Sequence, residues 1–197
     1  LRIGILALQG DFHKHQERFI ELNSDSISIK TILIKTPKLL DAVDALVIPG
    51  GESTALLKLM SEDFKSKIKS FVETNKKIFG TCAGAILLAN KVNNPSQESF
   101  DLIDIEVTRN AYGRQNDSFI ANNLEITNLK QRSINEVIFI RAPKISKIGK
   151  NVDILCKYNN SPVLVRNKNI MVATFHPELS TDNNDFYNFL LEFFLEE

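Results

Sequence analysis

Cysteine is scarce. Cys82 and Cys156 are the only two in 197 residues, and neither stands in a CxxC spacing. That excludes a disulfide framework and a cysteine-based zinc site, and it suits thiols kept reduced in a cytosol. An excess of charge is also missing: Lys plus Arg and Asp plus Glu each total 24, so no global field gathers nucleic acid or an anionic membrane. Long apolar runs are absent as well. The opening Leu1–Leu6 stretch breaks at Gln9-Gly10-Asp11, too soon for a membrane span or a signal peptide. The chain begins without an initiator Met, which reads as a trimmed start. Internal repeats, low-complexity tracts and Pro/Gly/Ser-rich linkers are lacking, so a single domain over 1–197 is expected, with a cytoplasmic location. The 43% hydrophobic and 24% charged shares are those of a globular chain able to bury a core.

What is present alternates. Apolar runs at Ile3–Leu8, Ser28–Lys35, Ala45–Ile48 and Lys77–Phe79 read as strands, and Phe12–Leu22, Ser53–Met60, Asp63–Thr74 and Ala83–Ala89 between them carry helical spacing. This βαβα order predicts a parallel sheet covered on both faces. Beyond Asp101 the period shortens to two in Ile103–Val107, Glu136–Ile140 and Asp153–Lys157, the pattern of half-buried antiparallel strands. Val163–Val165 and Ile170–Phe175 read as a hairpin whose Asn167 and Asn169 tolerate positive φ. The Asn-rich stretch Lys91–Phe100 reads as a loop. Phe186, Phe189, Leu190, Phe193 and Phe194 share one helical face, with Thr181 or Asp182 as the cap. The expected architecture is a three-layer α/β/α domain with a mixed, largely parallel sheet and a site at the carboxyl ends of its parallel strands.

Three stretches carry chemistry. In Phe79-Gly80-Thr81-Cys82-Ala83-Gly84 a strand runs through small residues into a helix, and the glycines two positions either side of Cys82 permit a turn tight enough to expose it. A thiol there sits at a helix N-terminus, which favours an anionic nucleophile and aims the next amide at an oxyanion. Taken alone, the same pattern also suits a buried core thiol, the reading given to Cys156. His176 ends the apolar run Met171–Phe175, and Glu178, two residues on in extended chain, can reach back to orient its imidazole. Together these suggest a Cys-His-Glu triad. His13 and His15 follow Gly10-Asp11 and read as surface or capping residues, and no set of side chains suggests a metal. In Val47-Ile48-Pro49-Gly50-Gly51-Glu52-Ser53-Thr54 a strand breaks into two glycines before a helix with Ser53 as N-cap. Their amides can meet a carboxylate or oxyanion, and Glu52 can accept from an ammonium. The turn lacks the lysine and spacing of a phosphate-binding loop.

Taken in order, Pro49-Gly50-Gly51-Glu52-Ser53-Thr54, Gly80-Thr81-Cys82-Ala83-Gly84 and Phe175-His176-Pro177-Glu178 resemble the motifs of class I glutamine amidotransferases, end to end along the chain. Within that family, Leu8-Gln9-Gly10-Asp11-Phe12, Arg109-Asn110-Ala111-Tyr112-Gly113-Arg114-Gln115 and Phe139-Ile140-Arg141-Ala142-Pro143 are similar to the glutaminases that serve pyridoxal 5′-phosphate synthases. The resemblance implies hydrolysis of L-glutamine to L-glutamate and ammonia, with Cys82 as nucleophile, His176 as base and acid, and Glu178 orienting it. It implies that glutamine is held by Gly51, Glu52, Ser53, Arg109, Ile140 and Arg141, with Gly51 and Ala83 as oxyanion donors. It further implies no cofactor on this chain, and a synthase (lyase) subunit as partner in a large hetero-oligomeric complex, met at Gln9. Glutaminases of other pathways, non-catalytic subunits and the elbow-cysteine peptidase and deglycase group are the competing classes; the His176-Pro177-Glu178 spacing disfavours the last.

Overall fold

The computed structural model describes residues 1–24, 27–111, 118–127, 133–181 and 184–196. In chain order, β1 is Arg2–Leu6, α1 Phe12–Glu21, β2 Lys30–Ile34, β3 Ala45–Ile48, α2 Ser53–Leu59, α3 Glu62–Glu73, β4 Lys77–Thr81 and α4 Ala83–Leu88. The second half adds β5 Ala89–Asn93, β6 Ile103–Thr108, β7 Phe119–Glu125, β8 Ser133–Phe139, β9 Lys144–Ile148, β10 Asp153–Tyr158, β11 Ser161–Arg166, β12 Ile170–Ala173 and α5 Asn184–Leu195. Seven strands form the main sheet in the order β10-β11-β12-β4-β3-β1-β2. From β12 to β2 every neighbouring pair is parallel, while β10, β11 and β12 pair antiparallel. The mixed, largely parallel sheet is therefore as expected.

Burial on both faces explains why the central strands read as unbroken apolar runs. Successive side chains point to opposite faces, so Ala45, Val47, Phe79, Met171 and Ala173 enter one core, and Leu46, Ile48, Ile78, Ile170 and Val172 enter the other. The first core is closed by α1, α5 and the β7–β8 hairpin, with Phe175 and Phe186 edge to face at 5.8 Å. The second is closed by α2, α3, α4 and the small sheet β5-β6-β9. Capping follows local chemistry: Ser61 Oγ accepts from Phe64 N at 3.2 Å ahead of α3, whose first turn carries Glu62 and Asp63.

Three local expectations need correction. Ala89–Asn93, where Ala89 is expected to end a helix and Lys91 to begin a loop, is a strand parallel to β6: Ala89 and Val92 turn inward while Asn90 and Lys91 face water. In the β11–β12 hairpin neither Asn takes positive φ; Asn167 Oδ1 instead accepts from the backbone N–H of Asn169 (3.0 Å) and Ile170 (2.7 Å), an Asx turn. The left-handed residues are Asn159 and Asn160, which turn β10 into β11. Ser53 does not cap α2: Glu52 does, accepting from Thr54 N and Ala55 N. For α5, Asp182 lies outside the described residues.

Close packing at the elbow is set by Gly84. A Cβ there would stand 2.2 Å from the Ile48 carbonyl oxygen, which is rigid strand backbone, so only glycine lets α4 sit against the end of β3. Gly84→Ala is expected to cost about 1–3 kcal/mol of stability by overpacking, measured by urea denaturation. An unchanged midpoint would mean that α4 can back away from β3 freely.

Candidate active site

Parallel strands deliver the site. β1, β3, β4 and β12 all point the same way, and the residues just past their carboxyl ends are Gln9, Gly50–Glu52, Cys82 and His176. They line a cavity of about 390 Å³ together with Ser53, Arg109, Ile140 and Arg141. Of the residues singled out from sequence, Ala83 and Glu178 stand behind this surface. Ala83 is the first residue of α4, where an N–H has no partner inside the helix. Of the Arg109–Gln115 stretch, Tyr112 to Gln115 lie outside the described residues.

Cys82 occupies the elbow at φ 46°, ψ −99°, a conformation that costs a non-glycine residue energy and persists only where its surroundings impose it. Here the surroundings are two backbone bonds: Cys82 N–H donates to Ala173 O on β12 (2.9 Å), and Cys82 O accepts from Ile86 N on α4 (3.2 Å). The thiol is 6% exposed and has the Ile140 carbonyl at 3.9 Å. Cys156 is unlike it, a buried core thiol whose pKa burial pushes up to about 12.

His176 is fixed by its backbone N–H, which donates to Ile138 O at 2.8 Å, and by its ring, whose Nδ1 meets Glu178 Oε1 at 2.7 Å. Pro177 starts a 3₁₀ turn, so the reach back from Glu178 is made by a turn and not by extended chain. Burial would lower the pKa of His176, but hydrogen bonds and charges from Cys82 and Glu178 outweigh it and raise the value well above the ordinary one. Burial would raise Glu178, but the nearby rings of His15 and His176 and the His176 hydrogen bond more than offset it, so the carboxylate is held below its usual range. An imidazole between a thiol and a carboxylate can move a proton to a leaving group and take one from water.

One residue was misread from sequence. His15 is neither surface nor cap: it has no exposure, and it sits on the buried face of α1 with Phe19. Its Nδ1 is 2.8 Å from the Tyr187 hydroxyl, and its Nε2 is 3.4 Å from both Thr81 Oγ1 and Glu178 Oε2. Helical spacing was the available signal, since Phe12, His15 and Phe19 fall at i, i+3 and i+7. His13, by contrast, is exposed as expected.

The binding side is charged and prearranged. Arg109 Nη2 lies 3.4 Å from Glu52 Oε1, and the same carboxylate accepts from the Thr54 hydroxyl and from Ala55 N at 2.8 Å. Those bonds, the Thr54 hydroxyl first, hold the pKa of Glu52 down despite some burial. Gly51 takes φ 143°, a left-handed backbone that L side chains rarely adopt, and a Cβ there would stand 2.5 Å from Gln9 Oε1. Gln9 Oε1 accepts from Glu52 N at 2.9 Å, so the residue after β1 holds the glycine turn after β3. Among the described residues, no group of three or more His, Cys, Asp or Glu side chains could hold a metal ion.

A cysteine elbow at the end of the central parallel strand, facing a His-Glu pair from the next strand, defines the class as glutamine amidotransferase. The chain belongs to the SNO glutamine amidotransferase family, whose model it matches over residues 5–196. It is 44% identical over 193 residues to the pyridoxal 5′-phosphate synthase subunit PdxT of Thermotoga petrophila, covering 98% of each chain. It is also 44% identical to the subunit of the same name from Thermosipho africanus, over 92% of this chain and 93% of that one. A crystal structure of a glutamine amidotransferase matches at TM-score 0.85 and 37% identity, covering 97% of both chains. The structure of PurLQS from Thermotoga maritima shares the fold at TM-score 0.67 and 15% identity, over 98% of this chain and 97% of that chain.

Burial lowers the pKa of His15, more than the charge of Glu178 raises it, so the fold favours its neutral form. A histidine depressed below its unfolded value of about 6.5 contributes stability that is fully present above that pH and is lost as pH falls. Between pH 7.5 and 5 the wild type is therefore expected to lose unfolding free energy more steeply than His15→Gln in urea titrations. Parallel curves would show that the fold leaves the pKa of His15 where it stands in the unfolded chain.

Proposed function

We propose that the whole chain acts as one glutaminase domain that hydrolyses L-glutamine to L-glutamate and ammonia through Cys82, His176 and Glu178. The observation that carries this is the buried 2.7 Å His176–Glu178 pair, whose His176 lines the same cavity as Cys82. Cys82 attacks the side-chain amide carbon, and the oxyanion that forms is received by the amides of Gly51 and Ala83. His176 gives its proton to the departing ammonia and then draws one from water as it attacks the thioester, while Glu178 keeps the ring aligned. No cofactor enters, because thiolate, imidazole and backbone donors suffice for amide cleavage.

Glutamine is a zwitterion at its α-carbon, and the Arg109–Glu52 pair offers a charge for each group: guanidinium to carboxylate, carboxylate to ammonium. Ser53, Ile140 and Arg141 complete the pocket around the chain of the substrate. Gln9 is proposed as the contact through which a partner acts on the oxyanion turn, a role supported by its bond to Glu52 N beside Gly51.

Released ammonia would protonate in water and be lost, so the partner is proposed to be a pyridoxal 5′-phosphate synthase (lyase) subunit that receives it within a large hetero-oligomeric complex. Support comes from the relatives of that name and their coverage of nearly the entire chain. Pyridoxal phosphate is then the partner's product and no cofactor here. No helix among the described residues is long and apolar enough to cross a membrane, and a cytoplasmic site of action is proposed. Glutamate release from L-glutamine is expected to rise when a pyridoxal phosphate synthase subunit is added, and to vanish in Cys82→Ala. Release that ignores the partner would detach the chain from that pathway, and release that survives Cys82→Ala would remove the triad.

A further inference from the structure

The polar groups behind the triad are used by nothing so far described. Glu178 is fully buried, and while Oε1 meets His176, Oε2 has no hydrogen-bond partner. A lone carboxylate oxygen in the core is costly unless a donor completes it. The donor at hand is His15 Nε2, 3.4 Å away and at the outer edge of hydrogen-bond reach, a spacing that can tighten once substrate loads the site.

Which nitrogen of His15 bears the proton follows from Tyr187. Its hydroxyl lies 2.8 Å from His15 Nδ1, while Nε2 faces a carboxylate oxygen that can only accept, so a proton on Nε2 with the hydroxyl donating to Nδ1 is the arrangement that satisfies both ends of the ring. A neutral His15 accepting at Nδ1 must carry its own proton on Nε2, the nitrogen that faces Glu178 and Thr81. The line thus runs from α5 through α1 and the turn after β12 to the elbow after β4. We infer that His15 is a positioning residue of the glutaminase reaction, holding the second oxygen of Glu178 through Nε2–H in the tautomer that Tyr187 imposes. This rests on the function proposed above.

Other charged and titratable groups around the line are few. Cys82 reaches Glu178 only through His176; Asp11 acts on His15 from the approach to α1; Arg18 and Glu21 act on Tyr187 from α1 itself. Arg18 is engaged elsewhere, donating to Ser180 O and pairing with Glu21 at 3.1 Å. None of them offers Glu178 Oε2 a substitute donor.

The test uses the full chain with two readouts as a function of pH: glutamate release in the presence of the synthase subunit, and alkylation of Cys82 by iodoacetamide, which needs no substrate. Without the Nε2 donor the Glu178 anion is less stabilised and takes a proton at higher pH. His15→Leu is therefore expected to move the acid limb of both profiles upward and to lower kcat at least about tenfold, with KM for glutamine within about twofold. His15→Gln, which returns an N–H near the same place, is expected to recover most of both. Tyr187→Phe, a gentle change should His15→Leu fold poorly, is expected to move both readouts the same way by less, and adding it to His15→Leu should cost nothing more. An acid limb unmoved in Tyr187→Phe and in folded His15→Leu, or a Gln variant no better than Leu, overturns the proposal. A shifted alkylation limb in a chain that never releases glutamate would keep the positioning role and discard the glutaminase reading.

Discussion

A carboxylate with no contact with water governs this structure. Glu178 is 0% exposed, and an ion in such a place is tolerated only when charge and hydrogen bonding compensate it from fixed positions. His176 supplies the first compensation, and the chain then has to place His176. The 3₁₀ turn begun by Pro177 and the bond from His176 N to Ile138 O do so, tying the end of β12 to β8. The aromatic residues of the first core form the walls: Phe175 against Phe139 and Phe186, and Tyr187 against Phe19. Helix α5, last in sequence, thus shields a group that the sheet needs at its active edge.

The strain at Cys82 belongs to the same economy of position. Its left-handed backbone would relax in an isolated strand-turn-helix, yet here the N–H is claimed by β12 and the carbonyl by α4, while Gly84 lets α4 sit directly on β3. Three elements must therefore be docked before the elbow exists. Once they are, the same β12 that receives the Cys82 amide carries His176 three residues beyond its last strand residue. One strand thereby sets both partners of the proposed proton transfer, with no need for a flexible contact between them.

Much of this was legible in the residues because burial on both faces writes strands as apolar runs. β1, β3, β4 and β12 were found within a few residues of their ends, and with them the positions of Cys82 and His176. The failures share a cause. β5, β7 and β9 present Asn, Lys and Ser to water along short, lightly buried strands, as in Ala89–Asn93 and Lys144–Ile148, and their periodicity is carried by two or three inward residues. Pairing partners far away in sequence decide such strands, and no local pattern records them. His15 is hidden for another reason: Gly10 and Asp11 beside it suggest a polar helix start, whereas its helical partners are Phe12 and Phe19. Glu52 was seen as a substrate contact, but its capping of α2 could be read only from backbone geometry.

Binding and chemistry are built from different material. The groups proposed for bond breaking hang on the sheet, each within three residues of a parallel strand's end or on the turn just beyond it. The charged groups proposed to recognise glutamine come from irregular backbone: Arg109 precedes Asn110 at φ 51°, and Arg141 itself stands at φ 47°. Loops of this kind can shift by small amounts at little cost, whereas the sheet cannot. Recognition can then adjust to a partner or a substrate while the distance between thiol and imidazole stays fixed. Gln9 is where the two materials meet, since it leaves β1 and fastens the turn carrying Gly51 and Glu52. A force applied to that loop would reach together the amide proposed for the oxyanion and the carboxylate proposed for the ammonium, and would leave the buried His-Glu pair untouched.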